Sequence, residues 1–262
     1  PFSKAYTDWL LAEAGAAGLD AICLTEHFNT QQFDEVYGYI AEHGRPVGDA
    51  FAFDGLRVFP GMETDIAEGG HVLCIGPMDA IRELNRRLEP HKTKGSFLPF
   101  ADLARLFDEY PVLVGAGHPF RAGGHIPDLP SELLARFDFL DLNGKDIAED
   151  RARTERLTYG FGHQLQKPVV AGSDTHQAVQ YGCIRTHFDR AVSTFRELYA
   201  EMQAGRYNIA VHPDAAAKVR TAGLLKRALK EIHALGGDYV EVLLRESGES
   251  PAVLAAKHRL AG

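Results

Sequence analysis

The sequence of 262 residues has few cysteines and no long apolar run. Its three cysteines, Cys23, Cys74 and Cys183, are an odd number, lie far apart and form no C-x-x-C pair. We therefore expect buried free thiols in a reducing compartment rather than a disulfide framework or a zinc knuckle. No apolar run reaches about 18 residues and no signal peptide is visible, so we predict a cytoplasmic protein without a membrane span.

Runs of basic residues are absent as well. The net charge is −8, which argues against nucleic-acid binding through bulk positive charge. Long nucleic acid is therefore a disfavoured partner, although a local basic pocket for a phosphate stays possible. A hydrophobic content of 45% over 262 residues is enough for one large α/β domain.

Short apolar runs alternate with helical patterns along most of the chain. This alternation predicts a parallel sheet surrounded by helices, and polar residues at the strand ends favour a barrel. No repeat, low-complexity tract or linker marks a second domain, so we expect one domain over 1–262, with a mostly helical extension from about residue 205. The runs predicted as strands are 20–25, 56–59, 72–75, 112–115, 139–142 and 169–171.

The last of these strands ends in an acidic residue and a histidine two positions apart, Asp174 and His176. In extended chain, residues i and i+2 point to the same side, so a carboxylate and an imidazole would project together above the strand. Such a pair suits a divalent metal. An isolated D-x-H motif also arises by accident from a turn aspartate and a surface histidine.

Further side chains of metal-ligand type stand at the ends of other predicted strands. Each one alone has an ordinary explanation as a turn, cap or surface residue. Their common placement favours a metal site, because the active site of a barrel forms where its strands end. The predicted metal ligands are His27, Glu63, His71, His118, Asp174 and His176.

The order of these motifs resembles the PHP (polymerase and histidinol phosphatase) family of metal-dependent phosphoesterases. Residues 25–27 (T-E-H) are similar to its T-[DE]-H motif and 61–63 (G-M-E) to its G-x-E strand end. Residues 117–119 (G-H-P) are similar to its H-P motif and 171–176 (A-G-S-D-T-H) to its closing G-S-D-x-H. The resemblance covers about residues 5–190 and implies a distorted (β/α)7 barrel with two or three divalent ions, commonly zinc, manganese or iron.

The resemblance also implies how the ligands divide between the ions. Glu63 would bridge two ions, with His71 and His118 on one of them. His27 and His176 would serve another ion, and Asp174 would lie on a third side.

Members of the family begin with an H-x-H strand, a motif that this sequence does not contain. Either the first strand precedes the sequence, which its start at Pro1 rather than methionine favours, or the site lacks two ligands. An absent first strand would also leave an unpaired sheet edge. We therefore expect a distorted (β/α)7 barrel without its first strand.

The chemistry of such a cluster is hydrolysis of a phosphate ester by a metal-activated water. Asp174 would be both ligand and proton acceptor, and His176 or His27 would protonate the departing alkoxide. A phosphate also needs polar contacts beyond the metals. The candidates, which follow strand ends or motifs, are Arg121, Asn143, Lys145 and Arg185.

Two other functions fit the same residues. A hydrolase of amide-type substrates would use the same ligands, because binuclear sites polarise carbonyls as well as phosphoryl groups. A non-catalytic PHP-like binding module would fit the missing H-x-H motif. The expected substrate is a small phosphorylated molecule, and histidinol phosphate, a nucleotide or a short oligonucleotide agrees with the resemblance.

Overall fold

The computed structural model describes residues 2–244. Within this range the chain forms ten strands and ten α-helices. The strands are β1 (Ala21–Leu24), β2 (Arg45–Val47), β3 (Ala50–Phe53), β4 (Leu56–Asp65), β5 (His71–Ile75), β6 (Leu113–Gly117), β7 (Phe139–Asn143), β8 (Val169–Gly172), β9 (Ile184–Phe188) and β10 (Tyr207–Val211). The helices are α1 (Lys4–Ala16), α2 (Phe33–His43), α3 (Met78–Arg87), α4 (Phe100–Phe107), α5 (Ser131–Leu134), α6 (Gly144–Glu149), α7 (Arg151–Leu165), α8 (Phe195–Gln203), α9 (Ala215–Ala234) and α10 (Tyr239–Leu244).

Eight strands form one curled sheet, a half-barrel with helices around it. Its order is β2-β3-β4-β5-β6-β7-β8, and β1 pairs in parallel with β4 alongside this path. Strands β9 and β10 form a separate antiparallel pair. The predicted barrel-type α/β fold is confirmed, and its sheet is a half-barrel in the described part of the chain.

The prediction of a parallel sheet is wrong for its first half. Strands β3 and β5 run antiparallel to β4, and β5 is also antiparallel to β6, whereas β6, β7 and β8 are parallel. The hairpin of β2 and β3 escapes prediction because its strands have only three and four residues. Pro46, which lacks a backbone donor, also weakens the strand pattern there.

The main hydrophobic core lies between the sheet and the first helices. It contains Tyr37 of α2, Val58 of β4 and Leu84 of α3, each 0% exposed. Helix α1 begins where the sequence predicts, because the Ser3 side chain accepts a hydrogen bond from the Tyr6 N–H at 3.3 Å. These apolar helix faces hold the convex side of the sheet.

The concave face of the sheet carries a second apolar cluster at its base. There Phe59, Ile75, Leu113 and Phe139, from four successive strands, meet α8. Because side chains alternate along a strand, residues at even spacings from these four share the concave face. Helix α8 therefore fills the base of the half-barrel and leaves the opposite edge, where β4, β6, β7 and β8 end, to polar side chains. We call this the upper edge.

The C-terminal region departs from its prediction at one point. Residues 207–211 form β10, so the extension expected to be mostly helical begins with a strand, before α9 and α10. Residues 245–262 of that extension lie outside the described range. Among the described helices, none combines the length and the apolarity that a membrane crossing needs.

The cysteines are free thiols, as predicted, but their burial differs. Cys74 and Cys183 are buried at 0% exposure. Cys23 is exposed, contrary to prediction. It lies on β1, and in the described chain β1 has a strand neighbour on one side only, so a side chain of this strand keeps contact with solvent.

Candidate metal centre

At the upper edge, His71 lies beside residues of two strands, β4 and β6, that run in the opposite direction to its own strand. His71 is the first residue of β5 and pairs with Asp65 on β4 and with Gly117 on β6. Because β5 is antiparallel to both strands, its first residue lies where they end. A parallel bridge also joins His27, three residues beyond β1, to Glu63 of β4.

The first group of possible ligands consists of Glu63, His71 and His118. Glu63 Oε1 lies 2.6 Å from His71 Nδ1 and 3.3 Å from His118 Nε2. These two ring nitrogens are 2.9 Å apart, and the rings meet edge to face at 73°. Side chains from β4, β5 and the end of β6 thus converge in the grouping that the resemblance implies for one ion.

The second group consists of His27, Asp65 and His71. Asp65 Oδ2 lies 3.2 Å from His27 Nε2, and Asp65 Oδ1 lies 3.0 Å from His71 Nε2. His71 therefore belongs to both groups, through a different ring nitrogen in each. Sequence reasoning missed Asp65 as a candidate ligand. The available signal was its position two residues after Glu63, which puts both carboxylates on one face of a strand.

Burial and hydrogen bonding shift the pKa values of these groups in opposite directions. Burial alone would raise the pKa of Glu63, but hydrogen bonds with His118 and His71 outweigh it and lower that pKa well below its usual range. The same balance, with His27 and His71 as partners, lowers the pKa of Asp65. Burial would lower the pKa of His71, but Asp65 and Glu63 raise it to about 9. The paired carboxylates thus hold a proton on His71 that a metal cation can displace.

The donor set fits a divalent metal. It combines imidazole nitrogens with carboxylate oxygens, which zinc, manganese and iron all accept as ligands. A residue outside the two groups orients one of the histidines, because His27 Nδ1 lies 2.7 Å from Asn29 Oδ1. The side chains that would hold ions are His27, Glu63, Asp65, His71 and His118.

A buried carboxylate supports the loop that carries His118. His118 has a φ of 29°, a conformation that is uncommon for residues other than glycine. Its backbone N–H donates to Asp141 Oδ2 at 3.2 Å, and Asn143 Nδ2 donates to the same oxygen at 2.9 Å. Burial raises the pKa of Asp141, which is 4% exposed, to about 6. Asp141 is a second residue of the site that the sequence prediction does not include.

Asp174 and His176 come together as predicted but belong to neither ligand group among residues 2–244. His176 Nδ1 lies 3.4 Å from Asp174 Oδ1. Asp174 has a φ of 52°, again in the left-handed region. The buried Gln180 donates through Nε2 to the Asp174 carbonyl at 2.9 Å, which helps to hold this turn.

The charge of Glu26 links this pair to the ligand groups. Burial raises the pKa of Glu26, and the nearby His176 and His27 oppose that rise. His176 and His27 therefore both lie near enough to Glu26 to interact with its charge. The role of Asp174 and His176 as metal ligands stays a prediction.

Some of the predicted phosphate-binding residues already bond to protein groups through their side chains, and others do not. Arg121 is engaged: its Nε donates to Asp146 Oδ1 at 2.9 Å, its Nη2 to Asn143 Oδ1 at 2.7 Å, and Nη2 also lies 2.9 Å from Asp174 Oδ2. Asn143 is 3% exposed and caps α6 by accepting from the Lys145 N–H at 3.0 Å. The Lys145 side chain itself is exposed.

Arg185 is not brought to the ligand groups. It lies on β9, and its Nη1 is 3.6 Å from the place that a Cβ on Gly18 would occupy. Gly18 follows α1 and precedes β1. Arg185 is thus next to the start of β1, whereas the ligands lie beyond its end.

Two comparisons bear on the family. A model of the PHP-associated family (PHP_C) matches residues 156–207. No curated protein matches the sequence.

Several solved structures share the fold. PsfC from Pseudomonas syringae PB-5123 superposes with a TM-score of 0.68 over 84% of this chain and 88% of its own, at 19% identity. PfuEndoQ, a lesion-specific endonuclease from Pyrococcus furiosus, gives 0.56 over 79% of this chain and 54% of its own, at 18% identity. Endonuclease Q in complex with a 27-mer duplex that has an abasic lesion at the active site gives 0.55 over 74% and 51%, at 18% identity. The chain spans about half the length of these endonucleases.

The family match lies in the C-terminal half of the chain, whereas three of the four sequence motifs lie before it. The structural similarity to PsfC covers 84% of the chain and so extends over both parts. The match to the PHP-associated model and the shared fold agree with the resemblance to the PHP family seen in the sequence.

Proposed function

We propose that this protein is a metal-dependent hydrolase that cleaves a phosphate ester. The observation that carries the proposal is the convergence of two three-residue ligand groups that share His71. Both groups include His71, so the two candidate metal positions are neighbours, and His71 would serve one of the ions through one ring nitrogen, since the two ions of a phosphoesterase lie only about 4 Å apart. The PHP-associated match and the likeness of fold to an endonuclease support the same class of reaction.

Divalent ions at these groups would supply a Lewis acid that activates water and neutralises charge on the phosphoryl oxygens. The side chains have complementary tasks. Glu63 and Asp65 would hold the cations through ionised carboxylates, and Asp174 would accept a proton. His176 donates a proton to the leaving oxygen, because its side chain is 48% exposed and lies outside both groups. His27, held by Asp65 and Asn29, is less free to do so.

The phosphate-binding residues follow from the same contacts. We assign substrate binding to Lys145, whose side chain is exposed next to the site. Arg121 and Asn143 we assign to positioning, because each is already bonded to protein groups. Arg185 has no assigned role, since it lies next to Gly18.

The first experiment is elemental analysis of protein purified without chelators or a metal-affinity column. We expect two or more transition-metal ions per chain and metal-dependent hydrolysis of p-nitrophenyl phosphate. A panel with zinc, manganese and iron would identify the metal, and inhibition by inorganic phosphate would favour the phosphoesterase. Turnover of amide substrates without turnover of phosphate esters would show that the substrate is an amide. A folded protein that binds metal but turns over neither class would indicate a binding module.

DNA phosphodiesters are a second substrate class to test. Endonuclease Q shares the fold and is seen with a duplex at its active site, which weighs against the prediction that long nucleic acid is a disfavoured partner. The net charge of −8 favours the small substrate. Cleavage of a duplex that contains an abasic site, measured beside p-nitrophenyl phosphate hydrolysis at the same metal concentration, would decide between the two.

A further inference from the structure

Cations near the upper edge differ in whether the protein neutralises them. Arg121 is surrounded by acceptors from Asp146, Asn143 and Asp174. By contrast, no side-chain hydrogen bond or ion pair forms at Lys145, Lys226 or Lys230 within the part of the chain that the structure describes. The cations available to an external anion are therefore these three lysines, which we call the lysine rim.

Helix packing places Lys226 toward the site. Helix α9 packs against α6, which begins just after Asn143, and against the turn at residues 178–180. Lys218 on α9 donates through Nζ to the carbonyls of Val179 and Tyr181 at 3.3 and 3.2 Å. Lys226 lies eight residues and about 12 Å further along the helix, about 80° around its axis from Lys218 and one turn beyond the buried Ala222. The packed side of α9 therefore faces α6 and the turn at residues 178–180, and Lys226 lies at the edge of that side.

The burial pattern of α9 agrees with that orientation. Ala222 and Leu229, on either side of Lys226 along the helix, are buried at 2% and 6% exposure. Lys226 is itself half-buried, whereas the adjacent Arg227 is exposed on the outer face. Lys226 is thus held at a packed interface, unlike an ordinary solvated surface lysine.

The charges of this region act on one another. Burial first, and then Lys230 and Lys145, lower the pKa of Lys226, while Asp174 opposes them. Three cations with no bound carboxylate repel one another, and partial burial of one increases the cost. A bound anion would relieve both effects, so the arrangement favours an anionic ligand.

We propose that the lysine rim binds a second phosphate group of a substrate whose scissile phosphate occupies the metal centre. The proposal rests on the proposed function and narrows its substrate class to molecules with two phosphate groups. The second phosphate belongs either to a small bisphosphate or to the next phosphodiester of a nucleic-acid strand. Because α9 lies beyond the sequence motifs, which end at residue 176, motif comparison alone does not find this part of the site.

The test compares matched ligands by calorimetry, which requires no turnover. Fructose 1,6-bisphosphate is compared with fructose 6-phosphate, and a five-residue thymidine oligonucleotide with thymidine monophosphate. In the wild-type protein, loaded with a divalent cation that supports no p-nitrophenyl phosphate turnover, we expect the two-phosphate member of at least one pair to bind about tenfold tighter. Lys226→Ala should remove this preference, and Arg227→Ala, the neighbouring charge on the outer face, should retain it.

The two ligand pairs distinguish the source of the second phosphate. A preference confined to the oligonucleotide pair would assign the rim to a nucleic-acid strand, and one confined to the sugar pair would assign it to a small bisphosphate. No preference in the wild type, or one that survives in Lys226→Ala, would overturn the proposal. Hydrolysis of p-nitrophenyl phosphate, measured separately, reports on the metal centre, so failure of the rim and failure of the proposed function are distinguishable.

Discussion

Two buried carboxylates of this protein have partners of different chemistry. Glu201 on α8 is 0% exposed and accepts hydrogen bonds from Arg190 and Arg206, with Arg206 Nε at 2.7 Å from its Oε2. Glu63 on β4 faces the imidazoles of His71 and His118 instead. Both carboxyl pKa values lie below their usual range. The two glutamates therefore differ in what neutralises them.

That difference separates a structural ion pair from an exchangeable one. A guanidinium is always protonated, so Arg190 and Arg206 neutralise Glu201 permanently. An imidazole is a cation only while it holds a proton, and it becomes a metal ligand when it loses that proton. A metal can therefore replace the proton that His71 holds beside Glu63, whereas the two guanidinium groups at Glu201 keep their protons. Buried carboxylates paired with histidines, more than those paired with arginines, are candidates for metal sites.

The largest effect expected from this comparison is the loss of activity in Glu63→Gln. The amide keeps the shape of the side chain but removes the charge that both imidazoles face. We expect metal-dependent turnover to fall by more than the roughly 10–100-fold that is typical of residues behind the ligands, together with a lower metal content. Turnover and elemental analysis are the measurements. Unchanged turnover in a folded variant would contradict both the proposed function and the comparison.

Glu201→Gln should show the opposite pattern. Without the carboxylate, two guanidinium groups lose their shared partner at the junction of α8 with β9 and β10, so we expect a lower melting temperature than in the wild type or in Glu63→Gln. Metal content per folded chain should stay unchanged. If Glu201→Gln loses metal while its stability is retained, the distinction between the two carboxylates does not hold.

Asp65→Asn tests whether the second ligand group takes part in metal binding. The change removes the carboxylate charge between His27 and His71, and we expect a roughly 10–100-fold lower metal affinity. Asp128→Asn is the matched control, because Asp128 also pairs with a histidine, His125, at 3.0 Å, but outside both groups. Competition titrations with a fluorescent chelator measure both affinities. Equal effects of the two substitutions would exclude Asp65 as a ligand.

The smallest expected effect is the change with pH in the contribution of Glu201 to the stability of the fold. Hydrogen bonds from Arg206, and then from Arg190, lower its pKa from 4.5 to about 2 on folding, against the effect of burial. A carboxyl with a lowered folded pKa contributes stability that is complete above pH 4.5 and is lost as the pH falls toward 2. The gap in urea midpoint between wild type and Glu201→Gln should therefore be widest above pH 5 and narrower at about pH 3. A gap independent of pH would show that the ion pair does not stabilise the fold.

Strand-end motifs in the sequence were sufficient to find most of the candidate ligands. His27, Glu63 and His118 follow apolar runs, and a strand that enters the core from the base of a half-barrel delivers such residues to one edge. Asp174 and His176 come together for the same reason. These placements depend on local pattern and on chain direction, both of which are readable along the sequence.

The sequence by itself also determined the fold class, because apolar periodicity and helix starts such as Ser3 are local properties. Only the tertiary structure decided the direction of β5, which brings His71 beside Asp65. In the sequence, Pro60 and Gly61 predict that the strand ends at residue 59. Strand β4 in fact continues to Asp65, and only five residues separate it from β5. So short a connection cannot cross over to a parallel strand. The approach of Lys226 to Asp174 was likewise unreadable, because it depends on the packing of α9 against elements far away in the chain.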